Sequence, residues 1–139
     1  DARGAIYGLT RNSAEPEICR AALESVGYQT KDLLDAMMSD VPNISSSVLR
    51  VDGGMSASDW TMQFLANIIG SRVDRSKMLE TTALGVAWLS GMFVDFYPKI
   101  DEFSKNWIRD KSFKPEMNES RRLRLIKGWE LAIKRTLLK

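Results

Sequence analysis

The chain has 139 residues, of which 44% are hydrophobic and 27% charged, so it has room for one domain with an ordinary apolar core. This composition excludes a disordered polymer and a disulfide-stapled miniprotein. The 20 Lys and Arg residues against 18 Asp and Glu give a formal charge of +2, which is too balanced for a domain whose main partner is a polyanion. The absence of His argues against hydrolase triads and zinc sites.

Several features predict a soluble, cytoplasmic protein with no membrane partner. The single cysteine, Cys19, cannot form an intrachain disulfide, which is typical of a reducing compartment. The longest apolar stretch, residues 83–96, is shorter than the roughly 20 residues of a membrane-spanning helix. Residues 1–4 are charged and are not followed by the apolar core of a signal peptide. Because the sequence opens inside what reads as a structured segment, we expect a piece of a longer protein.

The first predicted element is a helix of roughly 25 residues that ends before Pro42. Ser13 is predicted to cap it, and the acidic residues within 15–17 suit the positive end of the helix dipole. Gly27 costs about 1 kcal/mol relative to Ala inside a helix, so we expect another element to pack closely there. Cys19 is predicted to be a buried small hydrophobe. The apolar positions predicted to share one face are Ile18, Ala22, Val26, Leu33 and Met37.

A strand and a second helix are predicted next. Residues 48–52 are β-branched and apolar enough for a short strand, which stops at the glycine pair 53–54. Ser56 with Asp59 three residues later matches a capping-box pattern at a helix start, and Gly70 is predicted to end this helix. The predicted apolar side of the helix consists of Trp60, Phe64 and Ile68.

The middle of the chain gives weaker signals. Residues 71–75 are long enough only for a brief edge strand. A third helix is predicted to begin near Thr81, and its small residues at spacings of four predict a buried side that another backbone approaches closely. These small residues are Ala83, Ala87 and Gly91. Residues 93–115 are aromatic and irregular, with only a turn predicted at 97–98.

The last thirty residues form a basic helix. Residues 1–109 hold 11 basic and 14 acidic side chains, whereas residues 110–139 hold 9 and 4. Asn118 or Ser120 is predicted to cap the helix. Its predicted inward positions are Leu125 or Ile126, Trp129, Ile133 and Leu137. The cations on its other face, which include Arg121, Arg122 and Arg124, are interpreted as solvated, and we predict no nucleic-acid partner.

The one local pattern with mechanistic content is the turn at Gly53 and Gly54 between the strand and the capped helix. Two glycines let a ligand lie against the backbone, and the helix start adds amide donors that favour an anionic group. From the pattern alone, a plain turn is the favoured interpretation and a nucleotide-binding turn the alternative. Asp52 is interpreted as accepting backbone amides in this turn, with a catalytic or metal-binding acid as the less favoured alternative. Glu80 is interpreted as a partner of a helix dipole, with an acid catalyst as the less favoured alternative.

Several ordered motifs resemble the FGGY carbohydrate kinases. Residues 4–9 (GAIYGL), followed by 17–18 and 21–24, resemble the second signature of that family. Residues 49–54 (LRVDGG) resemble its adenosine-binding turn, and residues 80–87 (ETTALGVA) a helix that follows it. Three details are similar to the glycerol kinases within the family: residues 2–10 (ARGAIYGLT), 28–32 (YQTKD) and 128–135 (GWELAIKR).

The resemblance implies an α/β, helix-rich part of a ribonuclease H-like domain of the actin and sugar-kinase superfamily. Residues 1–139 would then be the C-terminal portion of the nucleotide-binding domain, with the catalytic aspartate, the phosphate-binding turns and the substrate-contacting domain upstream. It implies phosphoryl transfer from MgATP to glycerol, with Gly53 and Gly54 passing beneath the adenosine. Ser58 falls where glycerol kinases commonly have an asparagine that touches the nucleotide. No catalytic residue and no metal ligand is assigned, and we predict that the isolated chain is inactive.

Three alternatives stay open on the sequence. The chain could belong to an FGGY kinase that acts on a pentulose or another sugar. It could be a non-catalytic nucleotide-binding module, or a helical interaction domain whose basic tail docks an acidic partner. A homo-oligomer is also compatible with the sequence, since a partial domain exposes apolar surface.

Overall fold

The computed structural model describes residues 3–41 and 48–138. The elements in these residues are α1 (Glu15–Asp40), β1 (Val48–Val51), α2 (Asp59–Ile69), β2 (Arg72–Ser76), α3 (Thr81–Phe93), α4 (Ile100–Phe103), β3 (Arg109–Phe113) and α5 (Glu119–Leu137). Two short 3₁₀ turns lie at Gly54–Ala57 and Ser104–Asn106. The predicted helix-rich α/β class with a few short strands is confirmed. Pro42, before which the first helix was expected to end, lies outside the described residues, and α1 ends at Asp40.

The three strands form one sheet in the order β1-β2-β3, so β2 is the central strand. β1 and β2 are parallel, with Leu49 opposite Val73, and β2 and β3 are antiparallel, with Val73 opposite Phe113. The predicted edge position of residues 71–75 is therefore wrong, because β3 pairs with the second edge of this strand. β3 was not predicted, since its sequence RDKSF has no apolar alternation and only Phe113 is buried.

The core is built around α2, which is apolar on two sides. One side packs on the sheet, where Met62, Leu65 and Ala66 contact Val73 and Phe113. The other side carries Phe64 and Ile68, which pack against Tyr28 of α1 and against Leu125 and Trp129 of α5. The layers are thus the sheet, then α2, then α1 and α5. The predicted burial of Phe64 and Ile68 is confirmed, whereas Trp60 is exposed and stacks on Phe64 with ring centroids 5.6 Å apart.

The closest helix contact lies at Gly27, as expected from its place in the helix. A Cβ on Gly27 would stand 3.0 Å from the Phe64 ring, which is tighter than an ordinary contact, so a larger residue would need the ring or the helices to move apart slightly. The next residue, Tyr28, stacks on Trp129 with centroids 5.3 Å apart, and the Trp129 indole donates to Asp32 at 2.7 Å. Burial, followed by the nearby Glu24, raises the pKa of Tyr28 to about 12.

The predicted apolar face of α1 is wrong in most positions, because the side that packs is centred on Gly27 and Tyr28 instead. Ile18, Leu33 and Met37 are exposed, and Val26 is half-buried. Cys19 is also exposed, contrary to its prediction as a buried hydrophobe. The spacing located the helix correctly, but the position of α2 decided which side of it is covered.

The helix ends follow the predictions only in part. Asn118 caps α5 by accepting from the Ser120 amide at 2.8 Å, and Gly70 ends α2 with a left-handed φ of 68°, both as predicted. The N-cap of α1 is Ala14 and not Ser13; its amide donates to the Glu17 carboxylate at 2.9 Å. The N-cap of α2 is Ser58, because residues 54–57 form the 3₁₀ turn and delay the helix by two residues.

The burial predicted for α3 and for the end of α5 is not found. Ala83 and Ala87 are exposed, and only Gly91 of the small-residue stripe is buried, beneath the Tyr97 ring. In α5, Leu125 and Trp129 pack inward as predicted, but Ile133 and Leu137 are exposed. Both helices extend past the elements that cover them within the described residues.

Candidate functional site

The Gly53–Gly54 turn lies at the carboxyl ends of the parallel strands. β1 ends at Val51, and the amide of Gly53 donates to the carbonyl of Leu79, which follows β2, at 2.9 Å. The turn after β1 is therefore hydrogen-bonded to the segment that follows the neighbouring strand, β2. In open α/β sheets, ligands bind in the crevice outside the carboxyl ends of parallel strands.

Gly53 has a backbone conformation that requires glycine. Its φ is +81°, in the region where a Cβ is strained, so this residue allows the sharp exit from β1. Its carbonyl accepts from the Ser56 amide at 3.0 Å and from the Ser56 hydroxyl at 2.7 Å. Since Ser56 is buried, these bonds hold the start of the 3₁₀ turn against the sheet.

The outer side of the turn is open. A Cβ added to Gly53 or Gly54 would meet no atom within 4 Å, so a ligand can reach the backbone of both residues. Ser58 follows at the N-cap of α2, where its hydroxyl oxygen accepts from the Thr61 hydroxyl at 2.9 Å and from the Thr61 amide at 3.3 Å. Both contacts use Ser58 as an acceptor, which leaves its hydroxyl proton available to an acceptor on a ligand. The three predicted site residues, Gly53, Gly54 and Ser58, thus lie in one seven-residue segment, 53–59.

Arg75 of β2 makes several hydrogen bonds to this segment. Its Nη1 donates to the carbonyls of Ser56 at 2.9 Å and Ala57 at 3.2 Å, and it contacts the Asp59 carboxylate at 2.9 Å. Its Nε and Nη2 both contact Asp110 of β3 at 2.7 Å. One guanidinium thus joins two strands to the turn.

The hydrogen bonds and charges around Asp59 and Arg75 stabilise the ionised forms of these two side chains. Hydrogen bonds from Lys111 and then from Arg75 hold the pKa of Asp59 below its ordinary value. Burial by itself lowers the pKa of Arg75, but its hydrogen bonds with Asp110 and Asp59 outweigh this, so the pKa lies above the ordinary arginine value. The network therefore stays charged at neutral pH.

The other candidate residues have simpler environments. The exposed Asp52 carboxylate accepts from the Thr81 hydroxyl at 2.5 Å, which ties the end of β1 to the start of α3; the prediction of backbone amide partners for Asp52 is wrong. Glu80 is at the N-cap of α3, where its side chain makes no capping hydrogen bond. Arg122 is half-buried with its guanidinium over Gly70, so it is not part of a fully solvated basic face, whereas Arg121 and Arg124 are exposed.

A cavity of about 680 Å³ lies beside the turn, between the end of β2, α3 and the segment before β3. Its lining includes Thr81, Leu84, Phe103 and Trp107 and is mostly apolar. Thr81 joins this cavity to the turn through its bond with Asp52. Gly53, Gly54 and Ser58 do not line it, so the cavity and the turn are neighbouring features.

No group of three or more His, Cys, Asp or Glu side chains in residues 3–41 and 48–138 is arranged to hold a metal ion. None of the helices in these ranges is long and apolar enough to cross a membrane.

Sequence reasoning missed Arg75 and Thr81, which complete the surroundings of the turn. Arg75 lies in a strand that reads as a polar edge, and nothing in its local pattern indicates contacts with residues 16 to 35 positions away. Thr81 was recognised only as a helix start, although its hydroxyl contacts Asp52, 29 residues earlier. Such contacts depend on strand pairing, which a local pattern does not reveal.

Comparison with known families gives one match. The model described as "FGGY family of carbohydrate kinases, C-terminal domain" matches residues 1–93. The chain is 58% identical to the glycerol kinase of Sinorhizobium fredii and 55% identical to that of Rhizobium meliloti, each over 139 residues. Both alignments cover 99% of this chain and 28% of the relative, so the chain spans little more than a quarter of these curated relatives.

Solved structures agree with this match. The structure of Plasmodium falciparum glycerol kinase with ADP has a TM-score of 0.82 and 36% identity, covering 100% of this chain and 28% of that one. Gluconate kinase from Lactobacillus acidophilus has a TM-score of 0.72 at 22% identity, covering 98% of this chain and 27% of that one, which shows a shared fold.

Proposed function

We propose, from the premise that the chain belongs to the FGGY family of carbohydrate kinases, that it forms the C-terminal portion of the nucleotide-binding domain of an ATP-dependent carbohydrate kinase. The observation that carries the proposal is the open turn at Gly53 and Gly54, at the carboxyl ends of two parallel strands and directly before a capped helix. This arrangement offers bare backbone and a helix N-terminus to an adenine nucleotide.

In this proposal the adenosine lies against Gly53 and Gly54, where no Cβ obstructs its approach. Ser58 donates its free hydroxyl proton to an acceptor on the nucleotide. A serine reaches less far than the asparagine that glycerol kinases commonly have there, so we expect a weaker or shorter-range contact. The 139 residues contribute nucleotide positioning, and the general base and phosphate-binding groups come from the rest of the kinase.

Glycerol is the proposed substrate of the whole protein. The support is the identity of 53–58% to several curated proteins named glycerol kinase, which exceeds the 22% identity to the gluconate kinase structure. Phosphoryl transfer depends on positioning and charge stabilisation, and Mg²⁺ would supply charge neutralisation at the phosphates. The proposed location is the cytoplasm, and self-association stays a prediction.

The test is a titration of the isotopically labelled 139-residue chain with MgADP, followed by two-dimensional amide NMR. We expect localised shifts at Gly53, Gly54 and Ser58. Gly54→Val places a side chain in open space at a residue without positive φ, so it should leave the fold intact and weaken MgADP binding at least tenfold. Gly128→Val is the matched control, because a Cβ at Gly128 in α5 also meets no atom within 4 Å.

Equal MgADP affinity in the two glycine variants, or shifts remote from the turn, would contradict the proposed site. Activity is tested separately by joining the chain to the first part of the Sinorhizobium fredii glycerol kinase in place of the matching 28%. We expect glycerol-dependent ATP turnover from this chimera and none from the isolated chain. A well-folded chimera that binds MgADP but turns over no glycerol would contradict the proposal that this chain supplies the nucleotide-positioning part of a glycerol kinase.

A further inference from the structure

Arg75 stands out because it binds the proposed nucleotide turn without facing the open side where the nucleotide would lie. Its side chain is only 12% exposed, and it lies over the Phe113 ring with the guanidinium carbon 5.5 Å from the centroid. Two of its five polar contacts go to Asp110 of β3, and the other three go to residues of segment 53–59. An ion pair on the protein surface would be a weak stabiliser, but a largely buried guanidinium that donates to several acceptors fixes their geometry.

The two backbone carbonyls that accept from Arg75 lie where the helical hydrogen bonds before α2 are interrupted. Ser58 is extended, with φ −78° and ψ 108°, which interrupts the helical hydrogen-bond pattern between the 3₁₀ turn and α2. The carbonyls of Ser56 and Ala57 at this break accept from Arg75 Nη1. The bond to Ala57 fixes the orientation of the peptide group that leads into Ser58.

The constraint extends back to the glycines through Ser56. Arg75 holds the Ser56 carbonyl, while the Ser56 amide and hydroxyl hold the Gly53 carbonyl at 3.0 and 2.7 Å. On the far side, the Gly53 amide is bonded to Leu79. Both peptide groups of Gly53, a residue with a wide conformational range, are therefore fixed, one by contacts that begin at Arg75 of β2 and the other by Leu79, which follows β2.

We infer that Arg75 is a positioning residue that holds segment 53–59 in its ligand-ready conformation before a nucleotide arrives. The inference rests on the proposed nucleotide-binding function and deepens it. Preorganisation increases affinity because less freedom is lost on binding. Lysine cannot replace arginine in this role, since one ammonium cannot contact Asp110 and the carbonyls of Ser56 and Ala57 in the fixed fork geometry.

The test compares Arg75→Lys with Arg109→Gln in the full 139-residue chain. Arg109 is a matched control because it also pairs with a carboxylate across the sheet, Asp74 at 3.4 Å, without contacting the turn. Without nucleotide, we expect amide hydrogen exchange at Ser56 and Ser58 to rise at least tenfold in Arg75→Lys and to stay unchanged in Arg109→Gln. MgADP affinity should fall about tenfold in Arg75→Lys only, with chemical shifts in the α2 core preserved.

Three results would decide against the inference or separate it from the proposed function. Unchanged exchange at Ser56 and Ser58 overturns the positioning role. Faster exchange with wild-type MgADP affinity overturns its link to nucleotide binding. If the wild-type chain binds no MgADP, the proposed function fails and the exchange data alone decide whether Arg75 holds the turn. Should Arg75→Lys not fold, Asp110→Asn loosens the same fork from β3, and we expect a smaller rise at the same two amides.

Discussion

The region around α2 and the region from α3 to α4 are both apolar, but they bury their apolar side chains very differently. In α2, six of eleven residues are buried, and Ile68 and Ala66 have no exposed surface. In α3, which is the more apolar of the two helices, only Gly91 is buried. Phe93 is 90% exposed and Phe96 76% exposed.

The difference shows that apolar content predicts burial only where a partner surface exists. α2 lies between the sheet and the helices α1 and α5, so each of its sides meets apolar neighbours. α3 is held at its first residue, where the Thr81 hydroxyl donates to Asp52, and in its second half, where the Trp88 indole donates to the Pro98 carbonyl at 2.9 Å.

The largest expected effect is the removal of a core side chain from α2. Ile68→Ala should lower the free energy of unfolding by about 2–5 kcal/mol, because a fully buried side chain leaves a cavity. Leu89→Ala in α3 should change it by about 0.5 kcal/mol or less, since Leu89 is exposed. Urea unfolding followed by circular dichroism measures both. Similar losses in the two variants would mean that α3 is covered in solution.

Two of the helical glycines, one closely packed and one open, give a second, smaller contrast. Gly27→Val should destabilise the chain by about 1–3 kcal/mol, because the new Cβ would lie 3.0 Å from the Phe64 ring, which is fixed between Tyr28 and Trp60. Gly85→Val should have an effect below about 0.5 kcal/mol, since its Cβ meets nothing within 4 Å. The thermal unfolding midpoints of both variants compare the two sites. A tolerated valine at position 27 would contradict the close packing of α1 on α2.

The smallest expected effect concerns Asp74, a buried carboxylate in the central strand β2. Asp74 is 3% exposed and accepts from the Ser112 hydroxyl at 2.7 Å. Burial raises its pKa, but the Ser112 hydrogen bond together with Arg72 and Arg109 outweighs this, so the pKa lies below its ordinary value.

A carboxylate with a lowered folded-state pKa stabilises the fold above its unfolded-state pKa, and this stability is lost as the pH falls through the folded-state pKa. We therefore expect Asp74→Asn to lower stability by about 1 kcal/mol at neutral pH and to flatten the decline below about pH 4. Urea unfolding at several pH values measures this decline. Asp101→Asn, on the exposed surface of α4, is the control and should keep the wild-type profile. Parallel profiles for wild type and Asp74→Asn would contradict the role of Asp74.

Sequence reasoning located most of the fold but fewer of its contacts. The bounds of α1 and β1 and the start of α3 follow from periodicity and turn residues, and the tight packing at Gly27 follows from a glycine in a helix interior. β3 could not be predicted, because RDKSF forms a strand only when β2 offers it an edge. Gly53, Gly54 and Ser58 could be proposed from a motif, whereas Arg75 could not.

The sequence by itself determined the α/β class, the family and the position of the glycine turn, because these depend on short-range patterns and on ordered motifs. Only the tertiary structure decided which apolar faces are covered, which strand is central, and that Arg75 holds the turn. The physical reason is that burial and hydrogen bonding depend on partners distant in the chain: Arg75 meets Asp59, 16 residues away, and Asp110, 35 residues away, only after the sheet has formed.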